Sequence, residues 1–110
     1  MVSEQMLTEV KKLFCNDASI MVEAGLTYIH FPSLTLPPGN TPGAIEALVC
    51  LSTRDGYNTR LFFSEPVAGK GQNWSVHSIL GKAWHTCSWN YVEFSGNPTN
   101  VIAQHLRAFK

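Results

Sequence analysis

Residues 44–67 read AIEALVCLSTRDGYNTRLFFSEPV, two apolar runs separated by a polar stretch. AIEALVCLS (Ala44 to Ser52) and RLFFSEPV (Arg60 to Val67) have strand composition, and Asp55-Gly56 between them is a strong turn pair. The segment therefore reads as a central β-hairpin. Side chains alternate along a strand, so Cys50 shares a face with Glu46 and Leu48, while Glu65 shares one with Leu61 and Phe63. A two-residue turn at Asp55-Gly56 would set Cys50 opposite Leu61 and leave Glu65 more than about 10 Å away along the strand. Only a wider loop brings Cys50 and Glu65 together.

Outward from the hairpin, GLTYIHF (Gly25 to Phe31) is rich in β-branched and aromatic residues and reads as a strand. LPPGNTPG (Leu36 to Gly43) excludes helix and strand interior, because Pro37, Pro38 and Pro42 lack a backbone donor; it reads as a structured loop or a connection with a short edge segment. From Glu4 to about Cys15, the residues Met6, Leu7, Val10, Leu13 and Phe14 recur at i, i+1, i+4, i+7 and i+8, one face of a helix that Ser3 can cap. Downstream, AGKGQNWSVHS (Ala68 to Ser78) reads as a polar link and Trp84 to Phe94 as a strand. Asn97-Pro98 then starts a C-terminal helix with Val101, Ile102, Leu106 and Phe109 along one face. The fold class expected is α+β: a single domain over 1–110, with an antiparallel meander of about four strands and both helices packed on it.

The chain has 110 residues, 45% of them hydrophobic and 15% charged, with a formal net charge of zero. That length supports one core, and the scattered charge offers no field to attract nucleic acid. The N-terminus lacks the basic start and apolar middle of a signal peptide, and no apolar run approaches the roughly 20 residues of a membrane span, so a cytoplasmic protein is expected. Three cysteines, Cys15, Cys50 and Cys87, form no pairable set and point to catalysis, metal binding or burial.

AWHTCSWNY (Ala83 to Tyr91) places His85 and Cys87 on one side of a strand and Trp84 on the other. A metal site, a thiol nucleophile and ordinary packing all fit this pattern. His105 lies three residues after Ile102 and so falls on the buried stripe of the last helix. Cys50, Glu65, His85 and His105 could then all face one layer between sheet and helix. A thiolate, a carboxylate and two imidazoles suit zinc, which accepts sulfur, nitrogen and oxygen in tetrahedral geometry. No CxxC or HxxxH spacing accompanies them, so by spacing alone a packed core histidine is the better reading.

LPPGNTP, ALVCL, RDGYNTRLFFSE, NWSVHSILGKAWHTCSW and AQHLRAF together resemble a small bacterial family with a predicted Cys-Glu-His-His metal site. Its genes accompany ubiquitin-like proteins, their activating enzymes and JAB-type peptidases. The resemblance covers roughly Leu26 to Phe109. It implies metal ligation, with zinc as the candidate ion, by Cys50, Glu65, His85 and His105. It further implies a place in a bacterial ubiquitin-like conjugation pathway of antiphage defence, with a ubiquitin-like protein and its activating enzyme as partners.

The layout also resembles the ubiquitin-conjugating (UBC-like) fold, in which a His-Pro-Asn triplet precedes the catalytic cysteine by about ten positions. Here His77 precedes Cys87 by ten, but His-Ser-Ile stands where His-Pro-Asn would, so the asparagine that would support an oxyanion is missing from its place. A conjugating enzyme carrying a thioester on Cys87 is thus an alternative, and a catalytically silent interaction domain is another. Trp74, Trp84 and Trp89 read more simply as core residues than as a binding platform. Ser75 and Ser88 have no general base at readable spacing.

Overall fold

The computed structural model describes residues 4–40, 43–51, 59–67, 74–87 and 98–107, with the backbone alone at Cys87. Its elements are α1 (Glu4–Leu13), β1 (Ser19–Glu23), β2 (Leu26–Thr35), β3 (Ala44–Cys50), β4 (Arg60–Phe63), β5 (Trp74–Ile79), β6 (Lys82–Cys87) and α2 (Pro98–Leu106). The class is α+β, as expected, but the antiparallel sheet has six strands in the order β1-β2-β3-β4-β6-β5 where the sequence predicts about four. Ser3, Asp55-Gly56, Asn97, Phe109 and the predicted strand beyond Cys87 lie outside the described residues.

The two additional strands have one cause. Each belongs to a hairpin closed by a two-residue turn with positive φ at both central positions: Ala24 and Gly25 between β1 and β2, Leu80 and Gly81 between β5 and β6. This conformation matches the twist of the flanking strands, and asparagine or aspartate normally occupies its first position. Alanine and leucine conceal the turns. β5 therefore reads as part of a polar link, although it pairs with β6 along its whole length, from Trp74 opposite Cys87 to Ile79 opposite Lys82.

β2 runs past Phe31 because a register shift between Phe31 and Leu34 accommodates Pro32 and Ser33, both exposed. Proline cannot donate to a ladder, and a bulge is one of the few interior positions that tolerates it. Among the described residues of the connection after β2, Leu36 N–H donates to Gly43 O (2.8 Å), and Asn40 Nδ2 donates to Pro37 O (2.7 Å).

The meander β1–β4 carries two cores. On one face Ala47, Val49, Leu61 and Phe63 pack with Val10 of α1 and Val101, Ile102 and Leu106 of α2. On the other, Tyr28, Leu48, Cys50 and Phe62 pack with Ile79 and Trp84 of the β5–β6 hairpin. That hairpin folds across the outer face. Among the described residues β6 pairs with β4 at His85 opposite Phe63; from there the Trp84 ring meets His30 edge-on at 6.2 Å, Lys82 reaches Glu46, and Leu80 N–H donates to Glu23 of the β1–β2 hairpin. The molecule is three layers deep: helices, meander, folded hairpin.

Leu80 holds φ at 55° with its side chain 39% exposed. The left-handed conformation costs a branched residue about 1 kcal/mol, and asparagine tolerates it. Leu80→Asn is expected to raise the thermal midpoint by a few degrees, measured by circular dichroism. A lowered midpoint would show that packing of the Leu80 side chain outweighs the backbone term.

Candidate functional site

The sequence singled out six residues, and the sheet distributes them. Cys50 is fully buried in the outer core, opposite Tyr28 on β2 and Arg60 on β4. This corrects the expected shared layer between sheet and helix: the outer core lies across the sheet from α2. Glu65 falls beyond the end of β4 and is exposed. It lies five residues along the chain from Arg60, the partner of Cys50, and in the bend that ends the strand.

His85 pairs with Phe63 and so lies on the helix side of the sheet, half-buried. His105 is buried in α2, as its place on the apolar stripe predicts, and its Nε2 lies 2.9 Å from Thr59 Oγ1. Thr59 immediately precedes β4 and Phe63 ends it, so the two histidines engage opposite ends of that strand. The donor set suits zinc chemically, but these placements do not assemble Cys50, Glu65, His85 and His105 into one shell. Among the described residues, no three His, Cys, Asp or Glu side chains come together as a metal-holding group.

The pair of the conjugating-enzyme reading is also separated. Trp74 stands opposite Cys87, and His77 lies three residues further along β5, about 10 Å in strand geometry. The His77 ring instead packs edge-on against Phe62 at 5.6 Å, with its Nε2 3.2 Å from Ser75 Oγ.

The structure does assemble a polar cluster that the sequence reading missed. Glu46 on β3 joins His30 Nε2 (2.8 Å) on one side and the Lys82 ammonium on the other, and Lys82 sits over the Trp84 ring, 4.8 Å from its centre. The Lys82 bond, then the His30 bond, hold the Glu46 carboxyl below the usual carboxylate range. One signal could have revealed it. Leu26, Tyr28 and His30 form one alternating row on β2, and Cys50, Leu48 and Glu46 another on β3. Antiparallel pairing brings the polar ends of two apolar rows together.

An open apolar cleft of about 410 Å³ lies where α1, α2 and the loop after β2 converge, lined by Leu13, Phe14, Leu36, Pro37, Ala103 and Leu106 among others. Leu13, predicted to face the core, is 64% exposed at its rim. No helix of the described residues is long and apolar enough to cross a membrane. Comparisons of this chain with protein-family models, with curated proteins and with solved structures find no match.

His105 gives the fold a pH dependence. Burial, and then the charge of Arg60, lower its pKa from 6.5 to about 4. The unfolded chain, with an ordinary imidazole near 6.5, takes up the proton first as pH falls. Stability from this residue is complete above about pH 6.5 and declines toward pH 4 by up to about 3 kcal/mol. In urea titrations the protein should lose that much more stability between pH 7 and 4 than His105→Gln does. Parallel curves for the two proteins would show that His105 is not held neutral.

Proposed function

We propose that the protein is a non-catalytic, partner-binding component of a bacterial ubiquitin-like conjugation pathway, built on a UBC-like layout. The observation that carries this reading is the arrangement of α1, the β1–β4 meander and α2, with both helices packed on one sheet face. It agrees with the motif resemblance over Leu26 to Phe109. The layout supports the pathway by analogy, since a fold hosts many functions. The non-catalytic part rests on side-chain placement: Cys50 fills the outer core, His105 is engaged by Thr59, and His77 lies about 10 Å along the strand from the Cys87 position. A nucleophilic thiol needs exposure and a lowered pKa, and the Cys50 thiol is fully buried among apolar side chains.

The test is reconstitution with the activating enzyme, the ubiquitin-like protein and ATP. The expected outcome is measurable binding to one of those two proteins by calorimetry, with no reductant-sensitive adduct on this chain. An adduct that Cys87→Ser abolishes or converts to a reductant-resistant ester would overturn the non-catalytic reading and assign a conjugating enzyme. Elemental analysis of the same sample addresses zinc: stoichiometric metal that falls in His105→Ala would assign the Cys-Glu-His-His ligand role instead.

A further inference from the structure

We infer that the β5–β6 hairpin is a strap that opens from the outer face of the meander as a unit, about the Phe63–His85 pair, while the helix-side core stays intact.

The hairpin is strongly tied within itself. Six residue pairs join β5 to β6, and the Leu80-Gly81 turn closes it in the geometry that the strand twist favours. Its attachment to the meander is different in kind. Among the described residues one backbone pair links β6 to β4, and beside it the buried Thr86 Oγ1 donates to Leu61 O (2.7 Å) and the Trp74 ring lies against Phe63; away from this hinge the contacts are made by side chains or by the turn. Glu46 holds Lys82, and Glu23 accepts the Leu80 N–H at the tip. Lys82 is 47% exposed and Glu46 31% exposed. Ionic contacts this open to solvent contribute little, about 0–1 kcal/mol each.

Away from the hinge the buried apolar part of the attachment is Ile79 and Trp84, set against Tyr28, Leu48, Cys50 and Phe62, with the His77 ring edge-on to Phe62. Removing the hairpin would take no fully buried residue from the helix-side core; the partly buried Trp74 packs against that core beside the hinge pair. Regions with few buried contacts and solvent-exposed links open at a lower free energy than the whole molecule. The strap meets that description and the meander with its helices does not. Opening would bare the apolar face of β2, β3 and β4, including the Cys50 thiol, which is fully buried when the strap is closed.

Cys50 is therefore a built-in reporter. The full chain is alkylated with iodoacetamide across a urea series below its unfolding transition, and peptide mass spectrometry counts adducts on Cys50 separately from those on Cys15 and Cys87. We expect Cys50 to react at low urea, with a dependence on urea less than half as steep as that of global unfolding, because little surface is exposed. Glu46→Gln should speed Cys50 labelling roughly three- to tenfold at zero urea. Lys82→Gln, at an exposed strand position, should act in the same direction and guards against a folding defect in the first variant. Labelling of Cys50 with the full urea dependence of global unfolding would overturn the strap, as would no labelling below the transition. An unchanged rate in both variants would equally overturn it.

Discussion

The structure depends on β3 being buried on both faces. Ile45, Ala47, Val49 and Leu51 point to the helices, while Leu48 and Cys50 point the other way, and all six are nearly inaccessible. A strand whose two faces are both covered needs a layer on each side. The register with β4 then determines what each layer receives. Val49 opposite Leu61 and Ala47 opposite Phe63 supply the helix side; Leu48 opposite Phe62 supplies the outer side. A slip of one residue would exchange the faces and send Arg60 and Thr59 to the wrong layers. Burial of one large apolar side chain contributes about 1.5–3 kcal/mol, so the register is enforced by both cores together.

Elements that obey a strong period were legible in the sequence. Val10 with Met6, Leu7 and Phe14 marks α1, and Val101, Ile102 and Leu106 mark α2, with Pro98 at its start as the proline signal predicts. The two runs of the central hairpin were legible for the same reason. β1 and β5 were not, because five or six residues of mixed polarity give a weak alternation and Ala24 and Leu80 occupy turn positions that usually announce themselves by asparagine. Pro32 made β2 look shorter than it is, since a bulge cannot be read from composition.

The site was legible only where a residue's surroundings are set by its own element. His105 was placed correctly because a helix stripe fixes its direction without reference to any other strand. Cys50 and Glu65 required the register across a long connection, which the sequence leaves open, and the two were assigned a common layer that the pairing does not give them. His30 and Glu46 required two registers at once, that of β2 on β3 and that of the folded hairpin above them. Such a cluster is a tertiary product. Its members carry no spacing signal because the interval between His30 and Glu46 is set by a bulge and a proline loop.

The two layers are unequal, and the inequality follows from what each strand had left to offer. The helix side is sealed by residues from two helices that also pack on each other, with Val10, Val101 and Ile102 fully inaccessible. The outer side is sealed by two large side chains, Ile79 and Trp84, whose burial contributes a few kcal/mol together, against several helix residues on the other face. Trp84 directs its indole N–H to Ile79 O at 3.2 Å within the same hairpin, so its polar atom is satisfied without the meander. What the outer layer shares with the meander is apolar surface at the centre, a half-exposed ionic cluster at the edge, and, besides the Phe63–His85 pair, hydrogen bonds between a side chain and the backbone: Thr86 Oγ1 to Leu61 O and Leu80 N–H to Glu23.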